Sequence, residues 1–142
     1  MVNNETGHLN RAVGWILFLV GIVGGMVMGM WSFDGPVPAP AALADYSSLP
    51  RRLTRLAHIA AMALGITNIL YGQELPRVRL SQRARDLGAW SMVAAGTLMP
   101  LFLTLAAFGD ARWKFALPLP ATASLAGVAI IVAGIWRPRE AA

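Results

Sequence analysis

The chain has 142 residues, 56% of them hydrophobic and only 13% charged, with a net charge of +5 and a mean hydropathy of +0.56. Ordinary soluble domains carry about 25% charged residues, so this composition argues for an integral membrane protein of one small domain. The basic residues flank apolar runs, which reads as topology signal and anionic-lipid contact and argues against a nucleic-acid partner. With no cysteine, disulfides, thiolate metal sites and Cys nucleophiles are excluded.

Residues 1–11 are polar and read as a frayed or interfacial lead-in. The first span is expected over about 12–33. Ala42-Leu-Ala44 has the form of a signal-peptide cleavage site, but the apolar run is too long and the site too far beyond it. A retained helix is therefore expected. It carries Gly21, Gly25 and Gly29 four apart, with Gly14 seven residues earlier on the same side. Glycines in that register let two backbones approach, so dispersion and Cα–H contacts act where lipid offers no hydrophobic drive. A helix–helix or subunit interface is expected there, with the partner in this chain or another. Met26, Met28 and Met30 alternate, so they point to different sides and read as packing residues.

Residues 34–50 form the longest connection, rich in proline. Alternating prolines remove backbone donors and favour an extended path. Such a loop lies across a membrane surface, docks on a partner, or is a solvated linker.

The second span is expected over about 52–75, ending at Pro76. At 100° per residue, Thr54, His58, Ala61, Gly65, Asn68 and Gly72 fall on one stripe, with Arg51 and Arg55 beside its start. Small and polar residues in a bilayer face protein, because hydrocarbon cannot satisfy them. Gly65 and Asn68 are thus helix-packing positions, and this helix should be an inner one.

A basic connector, Arg77 to Asp86, leads into a third span over about 87–108. Pro100 lies inside it, predicting a kink and a freed carbonyl near Gly96, which Thr97 or Thr104 is placed to serve. The fourth span is expected over about 117–136, with Pro118 and Pro120 at its first turn and Ala123, Gly127 and Gly134 as close-packing positions. Trp15, Trp31, Trp90, Trp113 and Trp136 all fall near expected span ends, the pattern of an aromatic belt.

Four spans divide the cations into seven (Arg11, Arg77, Arg79, Arg83, Arg85, Arg137 and Arg139) and five (Arg51, Arg52, Arg55, Arg112 and Lys114). The imbalance favours both termini in the cytoplasm, here of a bacterial inner membrane. Arg51, Arg52 and Arg55 then crowd the side that should be poor in positive charge. They are expected to meet a protein partner, a lipid phosphate or a cofactor carboxylate, or to snorkel to headgroups.

Every carboxylate lies outside a span or at its edge. Ion-coupled transport usually needs an ionisable group near mid-membrane, so autonomous transport is not expected. Ser91 and Ser124 lie in spans, but only His58 would serve as an intramembrane base, and no acid orients it. No phosphate loop or multi-ligand metal motif occurs.

His58 has two readings: an interhelical hydrogen bond, or contact with a b-type haem or a quinone. The other histidine, His8, lies before the first span, so a bis-histidine haem site would need a subunit interface. In size and helix count the chain resembles the small four-helix subunits that accompany bacterial respiratory and photosynthetic membrane complexes; the likeness carries no residue assignments. The expected architecture is an up-down bundle of four transmembrane helices. The expected role is a non-catalytic accessory subunit, partnered by the lipid bilayer and by other membrane subunits or further copies of itself. The alternative is a redox component acting through His58.

Overall fold

A computed structural model describes residues 5–32 and 35–137. The expected span end at Phe33, the loop start at Asp34, and Arg139 and Glu140 of the tail lie outside the described residues. Within them the chain is all helical. α1 is Glu5–Gly29, α2 Leu49–Glu74, α3 Gln82–Phe108 and α4 Pro118–Ile135, with 3-10 turns at Ala41–Leu43 and Ala111–Ala116. Among the described residues four helices, the last counted with its lead-in from Ala111, are long and apolar enough to cross a membrane.

Local chemistry sets the helix ends. Ser48 caps α2, its side chain accepting from the Arg51 amide, with Pro50 in the first turn where no donor is missed. Ser81 caps α3 in the same way through the Ala84 amide. Asp110 accepts from the Arg112 amide and starts the 3-10 turn that leads into α4. α1 begins seven residues before the expected span. The polar segment is helical because Gly7 and Asn10 dock inward with the rest of the helix.

Glycines set the α1–α2 interface. A Cβ on Gly7 would lie 2.9 Å from the Gly72 carbonyl oxygen, and one on Gly14 would lie 2.6 Å from that of Gly65. A Cβ on Gly65 would in turn lie 2.9 Å from the Gly14 carbonyl oxygen. Seven residues further along α1, Gly21 lies against Met62. Residue numbers rise along α1 as they fall along α2, so the two run antiparallel. Of the stripe expected at Gly21, Gly25 and Gly29, the first two face α2. Among the described residues nothing lies within 4 Å of a Cβ built on Gly29.

α2 packs on α3 through two apolar clusters. Leu53 and Ala57 meet Leu103, Ala106 and Ala107 at one end. Tyr71, Leu75 and Val78 meet Ala89 and Met92 at the other, where Ile131 of α4 joins them. α4 packs chiefly on α3: a Cβ on Gly127 would lie 2.6 Å from Met92 Cγ, and one on Gly134 would lie 2.8 Å from Leu80 Cγ. α2 and α3 are therefore the inner pair. They bury 33% and 39% of their apolar windows, against 17% for α1 and 11% for α4. α1 packs on α2 and also reaches α3 through Asn10 and Leu17, whereas α4 packs chiefly on α3.

α3 continues as one helix through Pro100. The threonines serve other carbonyls than the one near Gly96. Thr97 Oγ1 donates to Val93 and Ala94, and Thr104 Oγ1 to Pro100 at 2.8 Å. Trp15, Trp90 and Trp136 point outward, and Trp113 stacks on Phe102 at a centroid distance of 5.4 Å.

Candidate functional site

Asn10 and Asn68 form the polar centre where α1, α2 and α3 meet, both with 0% exposure. Asn10 Nδ2 donates to Asn68 Oδ1 at 2.9 Å and to the Ala89 carbonyl at 3.1 Å. Asn68 Nδ2 donates to the carbonyls of Leu64 and Met92, each at 3.0 Å. Two side chains thereby tie α1, α2 and α3 together. Asn10 Oδ1 is buried without a partner. Reversing that amide would turn its oxygen toward two acceptors and strand the nitrogen, so the network fixes its orientation. Gly96 makes room, since a Cβ there would lie 2.8 Å from Asn68 Nδ2.

His58 lies nearer the other end of the α1–α2 interface. Its Nδ1 is 2.7 Å from the Gly21 carbonyl oxygen. A carbonyl only accepts, so Nδ1 carries the proton, and a neutral ring keeps Nε2 as an acceptor. Gly25 gives the ring its place: a Cβ there would lie 2.7 Å from Cε1. The interhelical bond is the partner that the geometry gives His58. His8 precedes Gly21 on α1 by thirteen residues, about 20 Å at the rise of an α-helix. One chain cannot bring both imidazoles to one haem iron.

The start of α2 holds the long loop. Arg51 is turned inward, 8% exposed, and its Nη1 donates to the carbonyls of Leu43 (2.9 Å) and Ala44 (3.2 Å). Leu43 is buried beneath it. The Arg51 and Arg55 guanidinium carbons lie 4.8 and 4.7 Å from the Tyr46 ring centroid, within cation–π range. Arg51, expected to contact a partner or lipid, thus commits Nη1 to its own chain; Arg52 and Arg55 stay exposed. In the loop, the backbone N–H of Ser47 (2.9 Å) and then its hydroxyl hold the Asp45 carboxyl below its ordinary range, with Arg51 adding a smaller pull.

The expected site residues thus separate. Gly14, Gly21, Gly25, Gly65 and Asn68 share the α1–α2 interface, His58 joins them, and Gly29 and the Arg52–Arg55 pair lie outside it. Asn10, Gly7 and Tyr46 were not singled out from sequence. Gly7, Asn10, Gly14, Leu17 and Gly21 share a helical face, but its first two members precede the apolar run and are hidden by a hydropathy reading. Among the described residues no three His, Cys, Asp or Glu side chains gather as metal ligands.

No protein-family model matches the chain, and neither a curated protein nor a solved structure shows a significant match to it.

Proposed function

We propose that the four helices cross a bacterial inner membrane up and down, with both termini cytoplasmic, and that the protein is a small non-catalytic accessory subunit of a larger membrane complex, respiratory or photosynthetic. The observation that supports this most is an inverted distribution of side chains. Asn10, Asn68, Gly14 and Gly65 are buried, while Ile16, Leu19, Val23 and Met26 of α1 and Leu125, Val132 and Ile135 of α4 are exposed. In water that exterior would aggregate; in lipid it is the expected exterior. The outer face of α1, with Gly29 open, is the surface offered to another subunit or a second copy. Gly25 is engaged by His58, so Gly29→Leu is the substitution that tests assembly without crowding the chain's own interface. Extraction from native membranes in mild detergent should yield the protein in a larger particle that Gly29→Leu weakens. Recovery only as a free monomer overturns the accessory role.

A second reading is a redox component contacting a b-type haem or a quinone through His58. It is favoured by the Nδ1–H bond to a backbone carbonyl, the support commonly given to a metal-ligating histidine, which leaves Nε2 as the ligating atom. In that tautomer Nε2 accepts from a quinol hydroxyl but does not donate to a quinone carbonyl. The second axial ligand of a haem would come from another chain or be a residue other than histidine. A Soret band in the purified complex that disappears in His58→Ala supports this reading; no band, or a band unchanged by the substitution, removes the haem version.

A further inference from the structure

α2 has three faces in three different surroundings. His58, Met62 and Gly65 meet α1, and Leu53, Ala57 and Tyr71 meet α3. The third face carries Arg52, Leu56, Ile59, Ala63 and Ile66, which recur at helical spacing and are all exposed. Leu56, Ile59 and Ile66 are 49%, 55% and 44% exposed. From Leu56 to Ile66 this stripe runs about 15 Å along the helix axis. That is half of a hydrocarbon core of about 30 Å, the depth of one leaflet.

At the loop end of the stripe, a groove of about 410 Å³ is lined by Leu49, Arg52, Leu53, Arg55, Leu56 and Ile59. Arg55 is held in place, its guanidinium carbon 4.7 Å from the centroid of the Tyr46 ring. A ring over the flat face of a guanidinium leaves the in-plane N–H donors for an anion. Arg51 differs: its Nη1 is committed to the Leu43 and Ala44 carbonyls, and it does not line the groove. Among the described residues neither Arg52 nor Arg55 pairs with a carboxylate, and Asp45, the acid of the loop, accepts from Ser47. Two guanidiniums above an apolar stripe match a ligand with an anionic head and a hydrocarbon tail. They do not match a free anion or an acidic protein segment, which have no use for the stripe. Nor do they match a zwitterionic lipid, whose choline would meet the guanidiniums.

We propose that this groove is a binding site for an anionic phospholipid, with the phosphate on Arg52 and Arg55 and one acyl chain along Leu56, Ile59, Ala63 and Ile66. The site rests on the reading of the chain as membrane-embedded, and with both termini cytoplasmic it belongs to the periplasmic leaflet. Guanidiniums suit the task because they stay charged and present paired donors to phosphate oxygens. Two arginines on the side that should be poor in positive charge then find their counter-charge in the lipid itself. The sequence places three arginines at this end of α2. The fold withdraws Arg51 to the loop and leaves the other two over the stripe.

The test uses the full chain reconstituted in phosphatidylcholine nanodiscs, titrated with phosphatidylglycerol and read by native mass spectrometry as retained lipid. Phosphatidylglycerol should be retained in preference to phosphatidylcholine, and inorganic phosphate at millimolar concentration should not displace it. Arg52→Gln and Arg55→Gln should each weaken retention about fivefold, the loss expected for one cation at a membrane surface. Arg83→Gln, an equal loss of charge at an exposed position on the first turn of α3, should leave it within twofold. Equal retention of both lipids, displacement by inorganic phosphate, or an equal effect of Arg83→Gln overturns the site while leaving membrane insertion standing. Failure of the chain to enter nanodiscs overturns the membrane reading, and the site with it.

Discussion

Asn10 and Asn68 meet side chain to side chain at 2.9 Å, each wholly buried, on two helices whose sequence positions lie 58 residues apart. Asn68 uses both donors and its acceptor, whereas Asn10 leaves Oδ1 unpartnered. The two are therefore unequal. Asn68→Ala removes three bonds and leaves one Asn10 N–H without its acceptor; Asn10→Ala removes two bonds but also an orphaned oxygen. Interhelical hydrogen bonds between membrane helices are worth about 0.6 kcal/mol on average and up to about 1.7. Asn68→Ala should cost about 1–2 kcal/mol and Asn10→Ala less, with the double mutant well short of the sum. Reversible unfolding in mixed micelles measures the cycle; additive losses would show that the pair is not coupled.

Gly14 and Gly29 should respond in opposite ways to the same substitution. A Cβ on Gly14 meets Ile69 Cγ1 at 2.7 Å and the Ile69 amide nitrogen at 2.8 Å, so Gly14→Ala must push α2 away. A loss of about 1–3 kcal/mol is expected, the range for overpacking. Gly29→Ala meets no atom of the described residues and should be neutral or stabilising by up to about 1 kcal/mol through helix propensity. Thermal unfolding in detergent of the isolated chain distinguishes them. A destabilising Gly29→Ala would contradict the open face.

Tyr71 carries a buried hydroxyl with no hydrogen-bond partner among the described residues, pressed against Gly88. Burying an unpaired hydroxyl costs about 1–3 kcal/mol. Tyr71→Phe should therefore raise stability by an amount within or below that range and leave the cluster with Leu75, Val78 and Met92 intact. A destabilised Tyr71→Phe would mean that a bound water or another group serves the hydroxyl.

Asp45 gives a dependence on pH with a definite sign. Its folded-state pKa lies below the ordinary 3.8, through the Ser47 amide first and the Ser47 hydroxyl second. The unfolded chain binds the proton more readily, so this carboxylate's contribution is complete above pH 3.8 and is lost as pH falls through the folded value. Ser47→Ala keeps the amide bond and removes the hydroxyl. The Asp45 midpoint, followed by carboxyl-carbon NMR, should rise toward 3.8 without reaching it. An unchanged midpoint would assign the whole shift to the amide and Arg51.

Much of the architecture was legible in the chain because lipid-crossing helices are written in composition. Runs of about 20 apolar residues and the prolines at the start of α4 mark the elements locally, whereas the caps Ser48 and Ser81 start α2 and α3 a few residues before their apolar runs. The stripe on α2 was legible for the same reason: Ala61, Gly65, Asn68 and Gly72 repeat at helical spacing, and all four are buried. The start of α1 was not, because hydropathy reads Gly7 and Asn10 as solvent-seeking. Their burial depends on what α2 and α3 present at that height. The loop contact of Arg51 was hidden for a similar reason: its acceptors are carbonyls of a loop whose path no local pattern specifies.

Sequence alone settled that four helices would form and which face of α2 would be shielded, since helix formation and periodicity are properties of neighbouring residues. The tertiary structure alone decided which glycines are spent inside the chain and which is left open. It also paired Asn10 with Asn68 and His58 with Gly21, and carried Arg137 to Arg79. Those outcomes depend on the register and order of whole helices, which follow from packing summed over each interface and from no single stretch of residues.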